Sequence, residues 1–221
     1  MTHIPAPAHM HFSEAAALRR DFAAIADWIT PGAKVLDLGC GDGSLLGYLR
    51  DTRQVRGYGV EKDDANVLAC LTNGINVIQM NLEEGLAGFE AQSFDVVILS
   101  QTLQAMHNTE RIVQEMLRVG KEAIVTFPNF GFWKHRLQLI LGNMPVSRNL
   151  PYQWYDTPNV HLCTISDFDN FCRTHRVTIR ERLVITGGKT IHLLPNLLGS
   201  LAIYRCGNAA KDSLKPAPGA A

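Results

Sequence analysis

The segment Val35-Leu36-Asp37-Leu38-Gly39-Cys40-Gly41-Asp42-Gly43 places three alternating glycines directly after a β-rich apolar run and directly before a helical pattern. A chain written this way must turn sharply at the carboxyl end of a strand, with backbone laid bare where a Cβ would otherwise stand. The flanking sequence repeats the same alternation. Apolar runs at Lys34–Leu38, 55–60, 75–80, 94–99 and 123–127 read as strands. Between them lie helices carrying Leu45, Leu46 and Leu49, then Val67, Leu68 and Leu71 closed by Asn73-Gly74. Another carries Ile112, Val113, Met116 and Leu117 behind Asn108 and Thr109. Continuous apolar strands alternating with amphipathic helices predict a parallel sheet covered on both faces. Right-handed crossovers then bring every strand's carboxyl end to one rim, where ligands sit.

At 221 residues the chain suits one domain over residues 13–206. A flexible lead over 1–12 and a frayed tail over 207–221 flank it. An opening helix is capped by Ser13, begins with Glu14 and carries Leu18, Phe22, Ile25 and Ile29. The aromatic-rich stretch within 127–165 is an insertion or lid on the sheet. Beyond it come a helix capped by Ser166, a sixth strand over 177–186 and a seventh over 201–206. The expected architecture is a three-layer α/β sandwich, Rossmann-like, on a seven-stranded and mostly parallel sheet.

Acidic and basic residues number 21 each, so nothing pulls the chain toward nucleic acid or anionic lipid. Lys134-His135-Arg136 reads as a solvated helix face. Five cysteines, with no CxxC pair, support neither a disulfide framework nor a zinc site, and no metal is expected. No run reaches the ~18 apolar residues of a membrane span. A cytoplasmic protein with reduced thiols is the expectation.

Two ligands compete for the glycine turn. A dinucleotide would read it as G-x-G-x-x-S; S-adenosylmethionine would read it as D-x-G-x-G-x-G. Asp37 lies before the first glycine and Asp42 inside the turn. Carboxylates there would repel a pyrophosphate, which seeks amide donors, and would favour a sulfonium and an ammonium. One such contact at ~4 Å and an effective dielectric near 20 is worth about 4 kcal/mol before desolvation. Glu61, at the end of the second strand, is placed to accept hydrogen bonds from a ribose diol. S-adenosylmethionine, or S-adenosylhomocysteine, is therefore the expected cofactor. Its candidate contacts are Asp37, Gly39, Cys40, Gly41, Gly43, Glu61, Lys62, Asn81, Leu82 and Ser100. Asn81 would accept from the adenine amino group or cap the turn before Glu83-Glu84. Ser100 and Gln101 end the fourth strand where the methyl-bearing sulfur should lie. His107 could act as a base or merely precede a helix, so no catalytic residue is assigned. Thr126-Phe127-Pro128-Asn129 resembles the motif of amino-methylating enzymes but follows the wrong strand.

VLDLGCGDGSLL (35–46), FDVVILSQTLQAM (94–106), TFPNFGFW (126–133), RLQLILGNMPVS (136–147) and LPYQWYDTPNVHLCTISDF (150–168) together resemble the methionine-biosynthesis MetW family over about residues 31–186. One departure is Met80-Asn81, where the family pattern leads one to expect Gly-Asp. The resemblance implies the class I methyltransferase fold, a place in methionine biosynthesis, and partnership with a homoserine O-acyltransferase that the MetW-like protein activates. Phe132, Trp133, Tyr152, Trp154 and Tyr155 are residue types enriched at interface anchors. The alternative is a methyltransferase for a small-molecule acceptor, with Tyr152, Tyr155 and His161 orienting it; a third reading is a fold that binds nothing.

Overall fold

In the computed structural model residues 20–208 are described. The expected lead, the Ser13 cap with Glu14 and Leu18, and the tail beyond Asn208 lie outside them. Chain order is α1 (Arg20–Asp27), β1 (Lys34–Leu38), α2 (Ser44–Arg53), β2 (Arg56–Glu61), α3 (Asp64–Thr72), β3 (Asn76–Gln79), β4 (Phe94–Ser100), α4 (Thr109–Val119) and β5 (Gly120–Pro128). The second part holds α5 (Trp133–Ile140), α6 (Ile165–Thr174), β6 (Val177–Thr186), β7 (Lys189–Thr190), α7 (Pro195–Leu198) and β8 (Leu201–Asn208).

One sheet runs β3-β2-β1-β4-β5-β8-β6-β7. The first five strands in that order are parallel to their neighbours, and β8 and β6 join by antiparallel pairing. Side chains alternate between two cores, as the two-residue period of a strand requires. Val35, Val96, Ile98, Ile124 and Ile203 face the core covered by α1 and α2. Leu36, Leu38, Val97, Leu99, Val125 and Tyr204 face the one covered by α4 and α6. Each fully buried aliphatic side chain contributes roughly 1.5–3 kcal/mol, which explains why these strands read as unbroken apolar runs.

The sheet has eight strands rather than the expected seven. The addition, β7, is two residues long and pairs Ile185 with Thr190 and Thr186 with Lys189 across Gly187-Gly188. Both glycines hold positive φ, +54° and +76°, as a tight two-residue hairpin demands. β8 continues to Asn208, two residues into the stretch expected to fray. The sixth helix is capped not by Ser166 but by Thr164, whose hydroxyl accepts from Asp167 N–H while the Asp167 carboxylate accepts from Thr164 N–H. Asp63 caps α3, accepting from the amides of Ala65 and Asn66. Among the described residues no helix is long and apolar enough to cross a membrane.

Candidate functional site

The carboxyl ends of β1, β2 and β4 converge on the glycine turn. Gly39, Gly41 and Gly43 have φ of +67°, +56° and +79°, in the left-handed region that glycine enters without penalty. Their surroundings differ. A Cβ on Gly39 would stand 2.8 Å from Thr102 Cγ2, and one on Gly43 would stand 2.8 Å from Ile75 Cγ1. A Cβ on Gly41 would meet nothing within 4 Å. Gly39 and Gly43 are thus required by packing, whereas Gly41 presents bare backbone to open space.

Val60 C=O accepts from the amides of both Gly39 and Cys40, tying the turn to the tip of β2. Glu61 extends that connection. Its Oε2 accepts from Gly41 N–H at 2.9 Å, and its Oε1 accepts from Lys62 N–H at 2.8 Å and Asp63 N–H at 3.0 Å. Glu61 is buried, 8% exposed. Three amides fix its orientation and leave Oε2 acceptor capacity for one further donor. Glu61 therefore supports the turn as well as facing the rim, a role that spacing alone did not suggest.

The two other acidic residues diverge. Asp37 is buried near the end of β1. Asp42 instead accepts from Ser44 N–H and Ser44 Oγ at 3.0 and 2.6 Å, which fastens its carboxylate to the start of α2. Cys40 and Cys70 are buried together with sulfurs 3.7 Å apart, and the Cys70 thiol donates to Gly41 C=O at 3.1 Å. Burial first, then the Asp37 carboxylate, pushes the Cys40 thiol far above its ordinary range. Burial also raises Cys70. Both stay protonated and act as small apolar packing under the turn.

The remaining expected contacts lie on the same rim. Met80 N–H donates to Glu61 C=O, setting the end of β3 beside Glu61. Asn81 follows, exposed, with Oδ1 accepting from Glu83 N–H at 3.1 Å, which caps the turn before Glu83-Glu84. Leu82, next in sequence, is buried in the core. Lys62 is exposed. Ser100 ends β4 with its hydroxyl 3.3 Å from that of Thr126.

Three contributors were not foreseen. Thr102 donates to Ser100 C=O at 3.0 Å and covers Gly39. Thr126, fully buried on β5, accepts from Gln101 N–H through both C=O and Oγ1. Asp21 on α1 accepts from Gln101 Nε2 at 3.2 Å. Gln101 itself holds φ +53°, an uncommon conformation for a residue with a side chain, anchored on both sides by these bonds.

The aromatic stretch splits. Phe127 and Phe132 belong to the core, whereas Trp133, Tyr152, Trp154 and Tyr155 are exposed. Tyr152 precedes, and Tyr155 lies within, a turn in which Gln153 N–H donates to Asp156. Farther along, Gln104 C=O accepts from the amides of Val160 and His161, and His161 Nε2 lies 3.4 Å from His107 C=O. His161 and His107 therefore meet at the rim, while Tyr152 and Tyr155 stay on the exposed turn. His107 is exposed, with its backbone amide donating to Glu83. Lys134 and Arg136 are exposed as expected, but His135 between them is fully buried.

The sequence profile of the family described as Methionine biosynthesis protein MetW matches residues 19–206. The chain belongs to the MetW family. A relative from Rhodopirellula baltica, the Bifunctional methionine biosynthesis protein MetXA/MetW, is 38% identical over 176 residues. That match covers 75% of the present chain and 28% of the relative, so the chain corresponds to a minor part of the larger protein. Solved structures agree on the class I methyltransferase fold. A possible histamine N-methyltransferase from Thermotoga maritima superposes with TM-score 0.61 at 15% identity, covering 86% of this chain and 88% of that one. An S-adenosylmethionine-dependent methyltransferase from Clostridium acetobutylicum gives 0.59 at 11%, covering 91% and 97%. The [4+2]-cyclase SpnF gives 0.62 at 17%, covering 88% and 82%. The MetW-family chain thus shares its fold with methyltransferases and with a cyclase, and the fold alone does not fix the chemistry.

Proposed function

We propose that this MetW-family chain binds S-adenosylmethionine or S-adenosylhomocysteine at the glycine turn and acts in the cytoplasm as partner and activator of a homoserine O-acyltransferase. The observation that carries the ligand reading is the Gly41–Glu61 unit: open, left-handed backbone beside a buried carboxylate that three amides hold in place. Such a carboxylate suits a ribose hydroxyl at Oε2. Asp37 supplies negative charge near the turn, and Asn81 and Leu82 line the position an adenine would take. The fused MetXA/MetW relative supports the partnership, because joining two modules in one chain keeps them together at high effective concentration.

A methyltransferase acting on a small molecule is the second reading. The Gln104 carbonyl that gathers Val160 and His161 at the rim favours it, since this places a polar side chain where an acceptor could stand. Bound S-adenosylmethionine supplies a methyl group on an already activated sulfur. Alignment alone then contributes ~7–11 kcal/mol, so a dedicated base is not required.

Calorimetric titration with S-adenosylmethionine tests the ligand reading, and sedimentation velocity with the homoserine O-acyltransferase of the same organism tests the partnership. Glu61→Gln keeps the side chain's shape but removes its charge, and should weaken S-adenosylmethionine binding at least tenfold. No binding by the unaltered protein overturns the ligand reading, and no complex at micromolar concentrations overturns the partnership. Release of S-adenosylhomocysteine with a metabolite acceptor would favour the second reading.

A further inference from the structure

α5 is amphipathic, and it faces the wrong way for a helix that serves only its own core. At about 100° per residue, Trp133, Leu137, Ile140 and Leu141 fall at i, i+4, i+7 and i+8 and form one apolar stripe. In a surface helix such a stripe normally points inward. Here all four are exposed, Ile140 at 80% and Leu141 at 68%. Met144, in the turn that follows, is exposed beside them in sequence. Leu139, at i+6 and outside the stripe, is exposed as well, and the one buried side chain of the helix is a histidine. His135 is fully buried, with Nδ1 3.2 Å from Asn129 C=O and Nε2 3.0 Å from Ser147 Oγ. A polar residue anchors the helix while its leucines and isoleucine meet water.

Charge borders the stripe on both sides. Lys134 and Arg136 fall at its two edges, and both are exposed. Lys134 Nζ stands 5.6 Å from the centre of the Trp133 ring. Between Glu122 and Asp156 the sequence contains no carboxylate, although acidic and basic residues balance over the whole chain. The face is therefore apolar at its centre and cationic at its rim.

We infer that this face of α5 docks the acyltransferase, and that the partner's matching groove is apolar with a rim of Asp and Glu side chains. This rests on the partnership proposed above. Charge complementarity selects the occupant. A second copy of this chain would pair the same patch with itself about a two-fold axis, bringing Lys134 and Arg136 against their own kind without a carboxylate in the segment to offset them. An acid-rimmed groove answers the apolar stripe and the cations together, and covers an apolar surface of the kind that marks interaction sites.

The test is sedimentation velocity of the full chain with the acyltransferase, comparing the unaltered protein, Leu137→Asp/Ile140→Asp and Lys134→Glu. The substituted side chains are exposed, so thermal unfolding and S-adenosylmethionine affinity should match the unaltered protein and confirm intact domains. The double variant should bind the acyltransferase at least tenfold more weakly. Lys134→Glu should weaken it severalfold and reduce its dependence on salt. If the unaltered chain forms no complex, the partnership itself fails; if it binds and the double variant binds equally well, the partnership stands and this face is wrong. Two further measurements bear on other occupants. A dimer of the chain alone that the double variant dissolves, with acyltransferase binding unchanged, overturns the inference in favour of self-association. Flotation on phosphatidylserine-containing vesicles that the double variant abolishes, again with acyltransferase binding unchanged, overturns it in favour of a membrane surface.

Discussion

Gly39 and Gly41 share a left-handed conformation but should respond differently to an added methyl group. At Gly41 the methyl enters open space, so Gly41→Ala pays only the backbone penalty of roughly 1–2 kcal/mol. It should nevertheless lower S-adenosylmethionine affinity more than tenfold, because the methyl occupies the ligand's approach. At Gly39 the same conformational cost is joined by collision with Thr102, for a combined loss of roughly 2–5 kcal/mol. Thr102→Ala should relieve part of that loss, so Gly39→Ala/Thr102→Ala will be less destabilised than the sum of the single changes. Urea unfolding of the four proteins measures this coupling; strict additivity would show that Thr102 does not press on the turn. The glycines themselves were legible because their spacing is local. Thr102 was not, since its importance exists only once β1 and β4 lie side by side. Glu61 was half legible: its position at a strand end follows from the pattern, but its bond to Gly41 N–H depends on how β2 sits against β1. Asp42 keeps its charge inside the turn, but its bonds from Ser44 two residues away, which fasten it to the start of α2, were not read from the spacing.

α5 shows why an element can be visible in sequence while its orientation is not. The spacing of Trp133, Leu137, Ile140 and Leu141 is the same whether the stripe meets a core or a partner. What decides is His135, which looked like part of a solvated basic cluster and proves to be the anchor. Burial holds its imidazole below the ordinary histidine value of 6.5. Its ring lies near those of Phe130 and Phe132, with Asn129 C=O and Ser147 Oγ as hydrogen-bond partners. The unfolded chain takes up a proton at this residue as pH drops through about 6.5, whereas the folded chain resists until a lower pH. The neutral ring's contribution is therefore complete above about pH 6.5 and diminishes as pH falls below it. Thermal unfolding between pH 8 and pH 5.5 should show a decline that His135→Asn reduces, with the variant less stable than the unaltered protein at pH 8. Equal pH slopes for both would remove His135 as the source. α6 carries the same lesson about boundaries. Ser166 is a good cap by type, yet Thr164 holds the position because Asp167 stands three residues on and closes the reciprocal pair.

At the scale of the whole molecule the glycine turn is where the two cores meet. Leu38, just before it, packs into one cluster and Cys40, within it, packs into the other. Parallel strands buried on both faces made this architecture legible, because their apolar runs leave few alternatives. β7 escaped because two residues cannot establish a period, although Gly187-Gly188 marks the hairpin that forms it. A ligand seated on the turn contacts backbone that both cores must hold in place, so it binds the assembled domain and not its parts. Binding to the folded form alone at a hundredfold excess over the dissociation constant contributes about 2.7 kcal/mol. For a domain of this length each kcal/mol shifts the melting temperature by about 2–4 °C, so S-adenosylmethionine should raise it by roughly 5–11 °C. Differential scanning fluorimetry should find that rise in the unaltered protein and in Leu137→Asp/Ile140→Asp, whose changes lie on the exposed α5 face. Gly41→Ala should lose it. A shift that survives in Gly41→Ala would move the ligand away from the turn, and a shift lost in the α5 variant would show that the docking face and the ligand site are one surface.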